Sequence, residues 1–442
     1  MSWELALRIL IISQYWAPEN GVPQRRWSWL SKVLIEAGHE VFVVAPKPHY
    51  ERNVSLREWY KKRAFRSAME TADGDSGEKV IRSGFIPSSS SVTGKIFNQA
   101  VVAVGALWVI VKRPSSLKDY SPDLIVGTVP AIPTALVTYV ASRRFKAPYI
   151  IDLRDAWPDL LAERSRWNHS VGDRSVKESL LSLGPIQILS ALTRSMLNRV
   201  LKNANVITVT SQMLGEDLEQ REELRSRGCQ NPKTITVRNV FPPEGIYAPG
   251  QCASSDKRSL NVLYAGTVGR AQDLGNTIVA AALCEASGYH VRLRFVGSGV
   301  GKPKLLKLAR DYGVKAEFFG RLPVDKLQEH YDWADTALVH LADWPSLHMV
   351  VPSKTYELMG IRLHISAVAR GESAMLIQEH GAGDVVPPGD PFALSELWTK
   401  LIEEPDRPCV GDGAAAWVTM QRQIAAPKAI LEAIMLAAQE KN

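Results

Sequence analysis

Short, nearly uninterrupted apolar runs alternate along this chain with stretches in which apolar residues recur every three or four positions. The runs predict buried β-strands, and the stretches predict amphipathic helices, for example at 27–37 and 274–287. The predicted strands fall into two series: 7–13, 41–45, 124–128, 148–152, 205–210 and 234–238, then 260–266, 291–297, 315–319, 335–341 and 364–368. Such alternation predicts an α/β protein with parallel sheets covered by helices on both faces.

A Pro- and Gly-rich stretch separates the two strand series. It begins at Phe241 and passes into polar sequence that ends near Ser259. Such composition is typical of a linker. The sequence therefore predicts one Rossmann-like domain at 1–242, a second at 259–420, and a C-terminal helix within 421–442 that packs back onto the first domain.

Composition restricts the class of protein. Hydrophobic residues make up 45% of the 442 residues and charged residues 22%, which favours folded globular domains. No run of 18 or more apolar residues is present, so no membrane-spanning helix is predicted. The N-terminus lacks the basic start of a signal peptide, which favours a cytoplasmic location. The four cysteines show no metal-ligand spacing and predict neither a zinc site nor a disulfide framework.

The net charge of +7 is unevenly spread: the first 240 residues contain 33 Lys and Arg against 23 Asp and Glu, or +10, and the remaining residues contain 20 against 23, or −3. Residues 47–66 mix basic and aromatic side chains, and 100–111 is an apolar run too short to span a bilayer. Together these segments favour peripheral contact with an anionic membrane surface, the inner face of the cell membrane. A buried core helix beside a solvated loop is the alternative. No recognised nucleic-acid-binding module is present, so nucleic acid is not an expected partner.

The first predicted strand runs into the loop Pro18–Gly21, which precedes a helix. Gly21 would allow the backbone to approach a phosphate or a sugar closely, although a plain turn explains it equally well. Arg25 and Arg26 begin that helix, where cations oppose the helix dipole. A ligand-facing role for one of them is therefore favoured.

The stretch 148–159 combines a strand with a dense polar cluster at its carboxyl end, where ligands bind in open parallel sheets. Asp152, Arg154 and Asp155 follow one another within four positions. They are candidates for contacting sugar hydroxyls, or for acting as a catalytic base. An internal ion pair that closes a loop is the alternative.

In the second domain, Gly266 ends the first strand, and Arg270 follows where a guanidinium could bind diphosphate oxygens. Ser353 and Lys354 precede or begin a predicted helix. A lysine there suits an anion, whereas Ser353 has a structural explanation as an N-cap. Glu357 lies one turn further on and could accept hydrogen bonds from both hydroxyls of a ribose.

Several motifs along nearly the whole chain resemble glycosyltransferase family 4, the retaining nucleotide-sugar transferases of bacterial surface-glycan synthesis. They are the Pro-Glu-x-Gly loop with Arg26, Val237–Val240, Tyr264–Gly266, Phe295–Gly299, Phe319–Pro323, Pro352–Glu357 and Gly371-Glu372. The resemblance implies a GT-B fold, two Rossmann-like domains facing a central cleft, the first for the acceptor and the second for the donor.

The resemblance also implies roles for individual residues. Glu357 falls where the family's glutamate holds the ribose, and Gly371-Glu372 falls where the donor sugar or phosphates are met. Gly21 falls at the first-domain glycine loop, and Arg26 at an arginine that points into the cleft. The implied donor is a UDP- or GDP-sugar, and the implied acceptor is a polyprenyl-diphosphate-linked or other glycan.

The sequence departs from the family at two places. The partner position of Glu357, eight residues before it, is Met349, so His348 or Asp343 would have to replace the absent glutamate. The usual cations of the phosphate site fall on Thr267 and Gln272. Arg270 and Lys354 then remain as the nearby cations.

The family implies a reaction without a metal or other cofactor, in which the diphosphate leaves while the acceptor attacks from the same face. The motif Asp73-Gly74-Asp75 falls in a predicted mobile loop, 71–78, and is interpreted as a chance match to a metal motif. Residues 83–94 predict a second mobile loop. Two other functions stay open: a sugar-nucleotide 2-epimerase, which would use carboxylates such as Asp152 and Asp155, and a sugar-binding protein without catalysis.

Overall fold

The computed structural model of the protein forms two units. Unit 1 comprises Met1–Pro158, Ile188–Phe241 and Ile424–Asn442, and unit 2 comprises Asp159–Gln187 and Pro242–Gln423. The structure describes residues 6–19, 21–48, 55–64, 66, 71–87, 92–112, 115–129, 131–160, 163, 185–225, 232–243, 245, 258–323, 326–404 and 406–439. Most of the predicted linker, 243–259, lies outside these residues.

Unit 1 contains an eight-stranded sheet. Its strands are β1 (Arg8–Ile12), β2 (Glu40–Pro46), β3 (Thr71–Asp73), β4 (Lys79–Ser83), β5 (Leu124–Val129), β6 (Tyr149–Leu153), β7 (Val206–Val209) and β8 (Lys233–Thr236). Their order is β3-β4-β2-β1-β5-β6-β7-β8, and only β3 is antiparallel to its neighbour. The central strands β5 and β6 are buried along their whole length and β2 is buried except at Glu40, as expected of parallel strands covered on both faces.

The helices of unit 1 cover this sheet. They are α1 (Val22–Glu36), α2 (Leu56–Lys61), α3 (Val92–Lys112), α4 (Ser115–Lys118), α5 (Ile132–Phe145), α6 (Pro185–Lys202) and α7 (Gln212–Gln220), followed by a 3-10 turn at Glu222–Leu224. In α1, Trp27, Leu30 and Leu34 recur every three or four positions and are fully buried. This spacing places one face of α1 against the sheet.

The last helix of the chain belongs to unit 1. A π-helical segment, Gln421–Ala425, leads into α16 (Ala426–Gln439), which packs against β6, β7, β8 and α1. Ala426, Ile430, Ala433, Ile434 and Ala437 are buried on one face. Small residues on that face let α16 lie close to the strands.

Unit 2 contains a parallel six-stranded sheet ordered β11-β10-β9-β12-β13-β14. Its strands are β9 (Ser259–Ala265), β10 (His290–Val296), β11 (Ala316–Phe319), β12 (Thr336–His340), β13 (Ile365–Val368) and β14 (Gly383–Val386). Its helices are α8 (Gly275–Ala286), α9 (Lys302–Asp311), α10 (Leu327–Trp333), α11 (Pro345–His348), α12 (Ser353–Gly360), α13 (Glu372–Glu379), α14 (Pro391–Glu403) and α15 (Asp412–Met420). The carboxyl ends of β9, β12 and β13 are therefore neighbours at one edge.

The α/β prediction is confirmed, but several local expectations are wrong. Residues 71–78, expected to be a mobile loop, form β3 and a turn in which the Gly74 amide donates to the Glu78 carbonyl, leading into β4. The strands β3, β4 and β14 were not expected, because each is short and lacks a long apolar run. The other expected loop, 83–94, contains the start of α3.

The boundary of the first domain also differs from the prediction. The range 1–242 included Asp159–Gln187, which belong to unit 2. Leu160 packs against a cluster of Leu341, Ala342, Trp344, Leu347 and Ala369 in that unit. This packing gives a physical reason for the difference.

Two further properties concern the cysteines and the helices. Cys284 is a buried free thiol, whereas Cys409 is disulfide-bonded, a bond that the spacing of the cysteines did not predict. Among the residues that the structure describes, no helix is both long enough and apolar enough to cross a membrane.

Candidate functional site

Glycines shape the carboxyl edge of the sheet in unit 2. The loop after β9 is joined to the loop after β10: Gly266 donates its amide to Val296 O at 2.9 Å, and Val268 to Ser298 O at 3.1 Å. Gly297 has φ +146, and a β-carbon there would overlap the carbonyl oxygen of Gly266. These close approaches need glycine, and they leave backbone rather than side chains at the edge.

Gly371 forms a second tight turn at the same edge, between β13 and α13. Its φ of +67 and ψ of −144 suit glycine, and a β-carbon would overlap the carbonyl oxygen of His348. Glu372 follows as the acidic residue of the first turn of α13 and is buried. Ser373 donates its hydroxyl to Val350 O at 2.8 Å, which ties the start of α13 to the segment before α12.

Glu357 lies within α12 and is held by two side chains. Its Oε1 accepts hydrogen bonds from the Tyr331 hydroxyl at 2.5 Å and from Lys354 Nζ at 2.9 Å. Lys354 Nζ also donates to the Tyr331 hydroxyl at 3.1 Å. The Glu357 side chain is 13% exposed. Within the described residues Oε2 makes no hydrogen bond, so this oxygen can accept hydrogen bonds from a ligand.

Tyr331 was not expected from the sequence. It lies in α10 and is buried, with its hydroxyl directed at Glu357. Its only sequence signal was a lone tyrosine in a helical pattern, which is usually a core residue. It orients the Glu357 carboxylate and so belongs to the candidate site.

The other predicted residues of unit 2 lie around this group. Ser353 is the first residue of α12 and not its N-cap, since Pro352 occupies that position, so the structural explanation for Ser353 is wrong. Arg270 lies in the loop after β9, and this loop is fixed by a hydrogen bond from Ala342 N to Ala271 O at 2.8 Å. Lys354 at the start of a helix is paired with a carboxylate, which offsets its unfavourable position.

The two proposed substitutes for the absent glutamate are in contact with each other. His348 Nε2 lies 3.0 Å from Asp343 Oδ1, and Arg370 Nε lies 3.6 Å from the same oxygen. Met349 ends α11 as its C-cap. The exposed Arg370 directly precedes Gly371, so Arg270 and Lys354 are not the only cations near this edge, and that expectation is wrong.

His340 ends β12 at the same edge and was also missed. Burial lowers its pKa to about 4, so the ring is neutral at physiological pH. Its Nδ1 has no hydrogen-bond partner within the described parts of the chain, and Nε2 lies 3.5 Å from Asn276 Nδ2. A lone histidine at a strand end gives no usable sequence signal.

In unit 1, Asp152 and Arg26 form an internal ion pair with 2.8 Å between Oδ1 and Nη2, and both side chains are 0% exposed. Asp152 also accepts from Trp27 Nε1 at 2.8 Å and Thr208 Oγ1 at 3.0 Å. Arg26 Nη1 donates to Val237 O at 2.8 Å and to the Asn239 side chain at 3.0 Å.

These hydrogen bonds engage both the Asp152 carboxylate and the Arg26 guanidinium within the protein. Burial raises the pKa of Asp152, but the charge and hydrogen bonds of Arg26 outweigh burial and lower it overall. Neither side chain reaches solvent, so the expectations that Arg26 contacts the donor and that Asp152 is catalytic are corrected. The alternative of an internal Asp–Arg ion pair holds for Asp152, but its partner is Arg26 of α1 and not the arginine of the same loop.

Arg154 and Asp155 follow β6 and are not paired with each other by any ion pair in the described residues. Arg154 is 8% exposed, and its Nε and Nη1 have no hydrogen-bond partner. Asp155 is half-buried, and burial raises the pKa of its carboxyl. Of the three predicted residues Asp152, Arg154 and Asp155, only Arg154 and Asp155 therefore have polar atoms that can bind a ligand.

The first-domain glycine, Gly21, is the N-cap of α1 with φ −103, a backbone conformation that any residue adopts. The neighbouring Gln24 is 2% exposed, and neither its Nε2 nor its Oε1 has a partner in the described structure. Gln24 was missed, because a glutamine in a first helical turn has no distinctive spacing.

No group of three or more His, Cys, Asp or Glu side chains within the described ranges is arranged to hold a metal ion. Asp73 ends β3, at the outer edge of the sheet in unit 1. The structure therefore gives no candidate metal centre in the parts of the chain that it describes.

Comparison with known proteins identifies the family. Residues 21–239 match the family model "Glycosyl transferase 4-like domain", and residues 253–410 match "Glycosyl transferases group 1". The two matches correspond closely to the two strand series.

Two curated relatives carry glycosyltransferase names. The chain is 27% identical over 239 residues to the probable glycosyltransferase WbjE of Pseudomonas aeruginosa, covering 51% of this chain and 57% of that protein. This match thus spans little more than half the length of WbjE. The chain is 22% identical over 371 residues to the putative colanic acid biosynthesis glycosyl transferase WcaI of Escherichia coli, and this match covers 80% of this chain and 81% of WcaI.

Solved structures share the fold at low sequence identity. Sucrose-phosphate synthase from Thermosynechococcus elongatus superposes with a TM-score of 0.66 at 16% identity, covering 97% of this chain and 98% of that one. WaaG, a glycosyltransferase involved in lipopolysaccharide biosynthesis, superposes with a TM-score of 0.58 at 15% identity, covering 97% and 99%. HepE of Anabaena in complex with UDP-glucose gives a TM-score of 0.59 at 14% identity, covering 97% and 99%. The chain has the GT-B fold and belongs to the glycosyltransferases of family 4 type.

Proposed function

We propose that this protein transfers a sugar from a nucleotide-diphosphate donor to a glycan acceptor in the synthesis of a bacterial surface polysaccharide. The observation that carries the proposal is the Glu357 carboxylate in unit 2. Tyr331 and Lys354 fix one oxygen and leave the other without a partner in the described structure, one turn into a helix that begins at the ligand-binding edge of a parallel sheet.

In the proposed donor site, Glu357 Oε2 accepts hydrogen bonds from the ribose hydroxyls of the nucleotide. Lys354, Arg270 and the amino end of α13 supply positive charge for the diphosphate. The glycine turns at Gly266 and Gly371 let backbone N–H groups approach the donor. Stabilising the charge that develops on the leaving diphosphate is the main catalytic contribution.

We propose that the reaction retains the configuration of the donor sugar and needs no metal, since side-chain cations and helix amino ends neutralise the diphosphate. The comparisons support a nucleotide-sugar donor, because HepE, which shares the fold, was crystallised with UDP-glucose. The name of WcaI, a putative colanic acid biosynthesis glycosyl transferase, supports a polysaccharide as the product. A polyprenyl-diphosphate-linked glycan bound by unit 1 is the proposed acceptor.

The experiment is an assay of donor hydrolysis and transfer with UDP- and GDP-sugars. Wild type is expected to release the nucleoside diphosphate from one sugar series, and Glu357→Gln to raise the donor KM. Glu396→Gln changes an exposed glutamate of α14 and serves as the matched control. Turnover with no nucleotide sugar, or an equal effect of both variants, would contradict the proposal.

The two other functions are not favoured. The family assignment is to transferring enzymes, which leaves the non-catalytic sugar-binding function without support. A 2-epimerase was considered because of Asp152 and Asp155, and Asp152 is fully occupied by Arg26. In the assay above, interconversion of the free sugar without transfer would revive the epimerase.

We further propose that unit 1 contacts an anionic membrane surface through α2 and α3. Four exposed apolar residues, separated by seven, four and three positions, form one stripe along α3; this α3 stripe is Phe97, Val104, Trp108 and Val111. The opposite face of α3 packs into unit 1, where Val102 contacts Phe85. The alternative of a buried helix therefore describes only half of α3.

The basic segment lies beside α3, since Trp59 packs against the cluster of Phe85 and Val102. Trp59 donates Nε1 to Phe85 O at 2.6 Å and so anchors α2 within the unit. Within the described residues the exposed basic and aromatic groups of this segment are Arg57, Tyr60, Lys61, Lys62, Arg63 and Arg66, and Lys62 is paired with the exposed Glu58. Of the predicted basic and aromatic segment 47–66, residues 49–54 and 65, which include Tyr50, Arg52 and Phe65, lie outside the described residues. Basic groups next to an apolar stripe suit an anionic interface.

The test is flotation with vesicles that contain or lack an anionic lipid. Wild type is expected to float with anionic vesicles at low salt, and Trp108→Ser to float less. Phe392→Ser removes an aromatic side chain of unit 2 that is more exposed than Trp108 (66% against 41%) and is the control. No flotation of wild type at low salt would refute membrane contact through this surface.

A further inference from the structure

A buried arginine, Arg154, follows the carboxyl end of β6 in unit 1. Arg154 is 8% exposed, and within the described residues its Nε and Nη1 donate no hydrogen bond. An unpaired buried guanidinium is costly, so proteins rarely keep one without a counter-ion. Burial lowers the pKa of this group, and the carboxylates of Asp155 and Asp152 partly offset that effect.

The protein's own carboxylates do not fill this position. Asp152 directs its oxygens to Arg26, Trp27 and Thr208. Asp155 makes no ion pair with Arg154 in the described structure, and its pKa is raised by burial. The N–H groups of Arg154 therefore remain available to an external acceptor.

A second orphaned group lies at the same edge. Arg26 and Trp27 tie the second turn of α1 to Asp152, two residues before Arg154. Gln24 precedes them in the first turn, is 2% exposed, and has no partner for either amide atom in the described residues. Gly21 caps α1 without a side-chain hydrogen bond, and the first turn contains no acidic residue. No acidic side chain of this first turn therefore compensates the positive end of the helix dipole.

We propose that the end of β6 and the first turn of α1 form an oxyanion subsite in unit 1 that binds a phosphate group. Arg154 provides the guanidinium, which fits phosphate oxygens in a fork, and Gln24 donates its amide. The residues of this subsite lie in unit 1, whereas the residues of the proposed donor site around Glu357 lie in unit 2. It extends the proposed function, because the phosphate belongs either to the acceptor or to the nucleotide sugar.

Binding of inorganic pyrophosphate tests the subsite without turnover. The full chain carrying Lys354→Met, which weakens the donor site in unit 2, is titrated by calorimetry. Pyrophosphate is expected to bind still, and addition of Arg154→Met is expected to abolish the binding. Arg144→Met removes an exposed arginine of α5 and is the control. Binding that survives Arg154→Met overturns the proposal.

Stability separates a ligand-binding arginine from a structural one. Because Arg154 is buried without a partner, Arg154→Met is expected to leave the unfolding temperature unchanged or to raise it. A structural arginine would give a lower unfolding temperature. Gln24→Met, which keeps the side-chain volume, is expected to weaken pyrophosphate binding about tenfold, the effect of one hydrogen bond to a charged group. A lowered unfolding temperature with unchanged pyrophosphate affinity contradicts the subsite.

Kinetics identify the source of the phosphate. If the acceptor supplies it, Arg154→Lys raises the KM for the phosphate-bearing acceptor roughly 10- to 100-fold and leaves the KM of donor hydrolysis unchanged. If the donor supplies it, the KM of donor hydrolysis rises instead. Unchanged values of both overturn the proposal. A protein that turns over no nucleotide sugar but loses pyrophosphate binding with Arg154→Met would refute the proposed function and keep the subsite.

Discussion

Replacing Asp152 with asparagine tests whether this carboxylate, near the end of β6, is structural or catalytic. The substitution keeps the shape of the side chain and removes its charge. Arg26 then remains buried at 0% exposure without a counter-ion, and the bonds from Trp27 Nε1 and Thr208 Oγ1 lose a charged acceptor. Breaking a buried ion pair by removing one partner costs about 3–5 kcal/mol.

Unit 1 contains roughly 230 residues, a size for which 1 kcal/mol shifts the unfolding temperature by about 2–4 °C. Asp152→Asn is therefore expected to lower the unfolding temperature of unit 1 by about 6–20 °C. The folded-state pKa of Asp152 is lowered overall. Its stabilisation is thus complete above the unfolded pKa of about 4 and is lost as pH falls through the folded value.

The assay is differential scanning calorimetry at pH 7 and at decreasing pH, together with turnover measured well below the unfolding temperature. The difference between wild type and variant should shrink at acid pH. The double variant Arg26→Met/Asp152→Leu removes both charges and should recover much of the loss. An unchanged unfolding temperature combined with a fall in turnover of about 100-fold or more, the size of a general-base effect, would refute the structural role.

Three further predictions concern two residues of unit 2 and the metal dependence of the reaction. Gly371→Ala should lower the free energy of unfolding by about 1–3 kcal/mol and weaken nucleotide binding, because alanine is strained at φ +67 and its β-carbon would overlap the His348 carbonyl. Urea unfolding measures the loss of stability, and titration calorimetry measures the loss of nucleotide affinity. Hydrogen bonds from His364 and Arg407 lower the pKa of Asp384, so the stability gained is present above about pH 4 and lost on acidification; Asp384→Asn should flatten this dependence in pH-resolved unfolding. Donor turnover should be unchanged by EDTA, and a loss that Mg²⁺ or Mn²⁺ restores would contradict the metal-free proposal.

The α/β fold with two sheets could be predicted because buried parallel strands consist of consecutive apolar residues, which are visible in the sequence. All eleven predicted strands appear, with ends that shift by one or two residues. Short strands escape this signal. β3 and β4 form through pairing with the edge of the sheet, and β14 contains Gly383 and Asp384, so their apolar content does not distinguish them from loops.

The candidate site was only partly predictable, because sequence shows which groups follow a strand but not which partners they meet. Glu357 and Gly371 were predicted from motifs. In the structure the Tyr331 hydroxyl orients the Glu357 carboxylate, and the positive φ at Gly371 explains why that position is a glycine. Arg26 and Asp152 are 126 positions apart, and no local pattern reveals that they neutralise each other. Tyr331 was missed for the same reason, since its role depends on a contact made across 26 positions.

Calorimetric titration of UDP and GDP against wild type, Glu357→Gln and the control Glu396→Gln tests the central proposal most directly. We expect one nucleotide to bind wild type and the control equally, and Glu357→Gln to bind it roughly 10- to 100-fold more weakly, as for loss of a hydrogen bond to a charged group. Equal affinity of all three proteins, or binding of neither nucleotide, would contradict a donor site built on Glu357.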